Sequence, residues 1–251
     1  MALFKSGNPT LNEKMFSGSI SLPQSETMTE RGTLYKFGMM MLLLLAAASF
    51  TWKAAADGKN IVPWMIGAAI LGLVLVFIIV FKKQWASFLA PVYALAQGVF
   101  VGGISAYYNN AFEKIAPGIV MQAVGLTFGV VIAMFLLYQF RIIKATQQFK
   151  AIIITATAGI AIFYALAFIL GFFGVQMPLI HDNSTWGIVF SLVVVGVAAL
   201  NLILDFDLIE QGSKHGAPKY MEWYGAVALM VTIVWLYLEI LRLLSKFAGR
   251  K

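Results

Sequence analysis

Seven predominantly apolar stretches, each about the length of a membrane span, decide most of what this chain can fold into: residues 37–56, 62–81, 88–108, 118–140, 151–173, 185–208 and 224–247. An α-helix needs roughly 20 apolar residues to cross a hydrocarbon core of about 30 Å. Spanning strands would alternate apolar and polar residues over about ten positions. These stretches do not alternate, and a segment whose backbone groups must all be satisfied internally is then a helix. Charged residues make up only 12% of the chain, against about a quarter in soluble domains. The expected fold is all-α: a polytopic integral membrane protein with seven transmembrane helices over 37–251, preceded by a polar tail over 1–36, with the lipid bilayer as its partner.

Several function classes drop out. The tail lacks the apolar core of an ordinary cleaved signal peptide. Cysteine is absent, and the two histidines, His181 and His215, fall in expected loops, so no thiolate or His-rich metal site and no cofactor is expected. The net charge of +7 is dispersed, with no basic run longer than Lys82–Lys83. It reads as topology information and not as a nucleic-acid footprint. With the N-terminus inside, eleven Lys and Arg fall on the inner side (Lys5, Lys14, Arg31, Lys36, Lys82, Lys83, Arg141, Lys144, Lys150, Lys214, Lys219), whereas the outer loops carry Lys53, Lys59 and Lys114. A cytoplasmic N-terminus is therefore expected, although the basic C-terminal end points the other way. Gly98 with Gly102, and Gly125 with Gly129, have the spacing that lets helix backbones approach closely. Trp52, Trp64, Trp85, Trp186 and Trp223 sit near span ends, as interfacial belts require. Pro63, Pro91 and Pro117 are expected at helix starts, and no internal repeat of the kind found in secondary transporters is evident.

Ionisable residues inside the spans are few and costly, roughly 2.5 to 3.5 kcal/mol each on insertion scales, and mark candidate functional positions. They are Asp205 and Asp207 on helix six, with Glu210 close behind, and Glu239 and Arg242 on helix seven. The plainer alternatives are that helix six ends among headgroups at these acids, and that Glu239 pairs with Arg242 three residues on. Asp205 and Asp207 are about 200° apart around a helix and face opposite sides. Two carboxylates brought together in a low-dielectric bundle would share a proton, and carboxylate oxygens are the ligands Ca²⁺ prefers. No Ser-His-Asp, HExxH, Walker or dinucleotide signature is present, so the chain is not expected to be an enzyme.

The stretches "FDLIEQG" (206–212) and "WLYLEILRLL" (235–244), with "SGNPTL", "PVYALAQGVFVGGIS" and "APKYMEWYGA", resemble the Bax inhibitor-1 / YccA family, in particular a bacterial subgroup, over most of the chain from Ser6 to about Phe247. The resemblance implies a multi-pass protein of the cell's inner membrane that acts as a pH-regulated Ca²⁺ leak channel, gated by an acidic pair on helices six and seven. Matched to the motif, the helix-six acid is Asp207 and its partner is Glu239, where the family's channel member has Asp; Lys82 stands where that member has an Arg. Asp205, Glu210 and Arg242 are secondary candidates, and Asp207 and Glu239 would make transient Ca²⁺ contacts. The alternative function is a regulatory protein that binds other membrane proteins, such as a membrane protease, with the tail motif "NPTLNEKMF" as the docking element. For Asp207 and Glu239 to meet, helix seven must begin before Tyr224 or helix six must end deep in the bundle. A helix-seven start at Tyr224 puts Glu239 about 22 Å in.

Overall fold

The computed structural model describes residues 27–175 and 177–250, so the N-terminal motifs "SGNPTL" and "NPTLNEKMF" lie outside the described residues. Seven long helices follow one another: α1 (Glu30–Ala56), α2 (Val62–Phe81), α3 (Ala86–Phe112), α4 (Ile119–Gln139), α5 (Gln147–Phe172), α6 (Thr185–Lys214) and α7 (Met221–Ala248). All seven are long and apolar enough to cross a membrane, in agreement with the all-helical, polytopic expectation. Among the described residues the only β-type pairing is an isolated bridge between Thr27 and Pro218.

Where helix ends depart from the apolar stretches, polar partners account for it. α1 starts seven residues before its apolar run because the Thr29 hydroxyl accepts from Gly32 N at 3.0 Å, satisfying a backbone donor that a helix start otherwise leaves bare. α6 runs six residues past its apolar stretch, and Glu210 in that extension, like Asp207 just before it, is held by cations from neighbouring segments. Gly216, at φ 64°, turns the chain from α6 into α7, a left-handed conformation that glycine adopts without steric cost. Pro91 is not at a helix start: α3 begins at Ala86 and continues through it.

Four helices, α1, α3, α4 and α6, pack around α7. Its residues enter both hydrophobic clusters: Leu229, Ile233, Leu236 and Tyr237 join α4 and α6, whereas Ala226, Met230 and Val234 join α1, α2 and α3. α7 is the most enclosed span. α5 is the opposite case. Ile153 is its one buried residue, and it lies against α6 at the edge of the bundle.

The two glycine pairs divide. A Cβ on Gly98 would meet Leu44 O at 2.3 Å, and one on Gly102 would meet Ala48 O at 2.4 Å, so these glycines let α3 touch the backbone of α1. Gly125 and Gly129 face open space and are not packing positions within this chain. Gly102→Ala should therefore destabilise the protein by about 1–3 kcal/mol, as overpacking does, whereas Gly125→Ala should leave stability unchanged or raise it slightly. Thermal unfolding of the detergent-solubilised variants measures both.

Candidate functional site: the acids of the sixth and seventh helices

Because successive helices run antiparallel, the start of α1 and the α2–α3, α4–α5 and α6–α7 connections share one end of the bundle. The cations that the sequence places in these segments meet acids there. Glu210 accepts from the Tyr138 hydroxyl, Arg141 and Lys214. Arg141 adopts φ 57° just past the end of α4, which lays its guanidinium 5.2 Å from the Tyr138 ring. Glu222, 1% exposed in the first turn of α7, accepts from Lys36, from Lys219 at 3.0 Å, and from both the backbone N and hydroxyl of Thr29 at 2.9 Å. Gly32 makes room for it, since a Cβ there would lie 2.2 Å from Glu222 Oε1.

Asp207 and Asp205 take opposite sides of α6, as their spacing requires. Asp207 is buried and accepts from Lys150 of α5 at 2.5 Å. Asp205 turns instead into a crevice of ≈ 230 Å³ walled by Val76, Ile79 and Val80 of α2 and by Tyr224, Val227 and Val231 of α7. Thr232 of α7 lines the same crevice, and the Asp205 Oδ2 is enclosed with no partner among the described residues. Of the five carboxylates on α6 and α7, Asp205 is the one without a Lys or Arg among the described residues.

Glu239, 2% exposed, belongs to a third group. Arg242 donates to both of its oxygens at 3.0 Å and to the Tyr164 hydroxyl of α5 at 2.6 Å, and Tyr164 donates to Glu239 at 3.0 Å. The intrahelical Glu239–Arg242 pair, one of the two readings open from the sequence, is thus formed. The Asp207–Glu239 contact is not. Their partners on α5, Lys150 and Tyr164, are fourteen residues apart, about 21 Å along a helix. α7 does begin before Tyr224, but by only three residues, and α6 extends outward to Lys214, so the two acids stay at different heights. A shared proton or a joint Ca²⁺ site on Asp207 and Glu239 is therefore not available in this conformation. Lys82 caps α2 at the surface without an ion pair among the described residues; it is Lys150 that neutralises Asp207.

A model of the family described as Bax inhibitor 1 like matches residues 8–249. The chain belongs to that family. No curated protein and no solved structure matched it. As a Bax inhibitor 1 like membrane protein, it carries features that the motif residues alone did not expose. Lys150, Thr157 and Tyr164 were missed because α5 reads as uniformly apolar apart from such isolated polar positions, although their seven-residue spacing, one stripe of a helix, was a usable signal. Glu222 was missed because it stands at the border of an apolar stretch, where an acid looks like an ordinary helix start.

Glu222 gives the sharpest test of this arrangement in the Bax inhibitor 1 like fold. Removing one member of a buried pair costs about 3–5 kcal/mol because the other charge is stranded. Glu222→Ala should lower the stability of the solubilised protein by about that much, and Lys36→Met should recover part of the loss in the double variant. Denaturant titration of the three variants checks both outcomes.

Proposed function

We propose that this Bax inhibitor 1 like protein is a pH-regulated Ca²⁺ leak channel of the cell's inner membrane, its basic helix connections facing the cytoplasm. The observation that carries the reading is Asp205: an acid on a membrane span, one oxygen without a partner, at a crevice between α2 and the α6–α7 pair. The other four acids of α6 and α7 are neutralised by a Lys or Arg. Neutralising Asp205 takes a proton, because no side-chain cation among the described residues reaches it.

The direction of gating follows from that charge balance. The enclosed geometry accommodates the neutral acid. The ionised acid calls for water or a cation at the crevice, and a bare carboxylate among apolar side chains is costly. Deprotonation accordingly favours a hydrated, conducting arrangement, and acid favours the closed one. Tyr224 lines the same crevice, with Lys83 5.4 Å from the centre of its ring.

A second reading has its own support. Met28 N donates to Ala217 O at 2.6 Å, so the segment joining the tail to α1 is stitched to the α6–α7 turn. A membrane protein bound to residues 1–26 would pull on that turn, which suits a regulatory, partner-binding role.

The liposome assay decides between them. Protein reconstituted with an internal Ca²⁺ dye should show influx that rises with pH, and Asp205→Asn should flatten the pH profile toward the low, acid level. Influx no greater than that of empty vesicles across acid to alkaline pH would sink the channel reading. Loss of copurifying partners on deletion of residues 1–26, with flux intact, would establish the second.

A further inference from the structure

α5 is attached to the bundle in an unusual way. Its one buried residue is Ile153, yet three polar side chains at seven-residue intervals each reach a polar partner on α6 or α7. Lys150 meets Asp207 at 2.5 Å, Thr157 accepts from the Asn201 amide at 2.8 Å, and Tyr164 joins Glu239 and Arg242. Seven residues bring a helix back to the same face, so the three contacts form a single polar seam. From Lys150 to Tyr164 it runs about 21 Å, some two thirds of a hydrocarbon core of about 30 Å. α7 extends it outward through Lys246, on the same face as Glu239 and Arg242, whose Nζ donates to Leu179 O and Gly187 O at 2.9 Å.

We propose that this seam between α5 and the α6–α7 pair is the cation route, closed by two tethered cations. The proposal rests on the channel reading and names its path. Lys150 and Arg242 occupy the carboxylates of Asp207 and Glu239, the two sites at which a permeating divalent cation would be held. Between them, the Thr157–Asn201 hydrogen bond closes the middle of the seam. Apart from Ile153 and the contacts of Phe163 and Tyr164 with Phe190, little apolar contact resists parting α5 from α6, and each rung can exchange its hydrogen bond for one to water. Irregular or polar surface at membrane depth is tolerated where it lines a water-filled cavity. Asp205 faces away from this route, so sensing and conduction use opposite sides of α6.

The absence of cysteine makes the test direct. Thr157→Cys in reconstituted protein is exposed to a charged, membrane-impermeant thiol reagent, with Ile154→Cys, on the exposed face of α5, as the hydrocarbon-facing control. The Thr157→Cys/Asn201→Cys double variant is assayed for Ca²⁺ influx before oxidation, after it, and after reduction. Expected results are labelling at 157 but not at 154, loss of flux on disulfide formation with recovery on reduction, and a severalfold higher leak in Lys150→Met. The reduced double variant, which lacks the middle rung, must conduct at least as well as wild type, which separates blockade from misfolding. A 157 thiol that stays unlabelled, or a cross-linked protein that conducts as well as the reduced one, overturns the route. Labelling at 157 in a protein that passes no Ca²⁺ supports the water-filled seam and overturns the calcium reading alone.

Discussion

Enclosing α7 is the constraint from which the rest of the arrangement follows. Apolar helix faces need no protein neighbour in a bilayer, as the exposed faces of α2 and α5 illustrate, but α7 carries Glu222, Glu239 and Lys246 into the interior, each nearly inaccessible. A charge withdrawn from water persists only with a partner, and each partner comes from a different element. Lys36 of α1 answers Glu222, Tyr164 of α5 helps Arg242 hold Glu239, and carbonyls from the start of α6 and the turn before it receive Lys246. The polar contacts of α7 thus fix which helices surround it and at what height. The apolar contacts, being non-directional, fill the space between.

The number, length and order of the helices were legible in the sequence because a hydrocarbon solvent imposes a coarse rule, and α2 illustrates how closely it applies: 62–81 expected, Val62–Phe81 observed. The opposed faces of Asp205 and Asp207 were legible as well, since helical periodicity alone sets them. Pairing between helices was not. The family motif drew attention to Asp207 and Glu239, but their heights depend on where α6 and α7 end, and those ends are set by Gly216 and the basic connections more than by the apolar runs. Gly125 and Gly129 make the same point. Their spacing matches that of Gly98 and Gly102, and only the arrangement of neighbours distinguishes an open face from a tight crossing.

The two ends of the bundle use charge differently. At the end that gathers the helix connections, Glu210 and Glu222 each hold two cations, so local charge is overbalanced toward positive. That matches the excess of Lys and Arg that cytoplasmic segments carry. Toward the opposite end, Arg242 has one carboxylate, and Lys246 donates to two carbonyls with the charges of Asp182 and Glu239 nearby. Lys246 secures the α5–α6 connection through those carbonyls, leaving Glu239 to Arg242 and Tyr164.

α6 is the element on which the proposed sensing and conduction converge. One of its faces presents Asp205 to the α2–α7 crevice, and the other presents Asn201 and Asp207 to α5. Asp205 and Asp207 are two residues apart, and a helix transmits rotation rigidly over so short a span. Drawing Asp205 toward water on one side must therefore shift Asp207 against Lys150 on the other. α5 is the neighbour least able to oppose that shift, because its hold on the bundle is three polar rungs, one buried isoleucine and the ring contacts of Phe163 and Tyr164 with Phe190. Coupling by this means needs no contact between Asp207 and Glu239. It requires only that the charged state of one face of α6 and the closure of the other cannot be set independently.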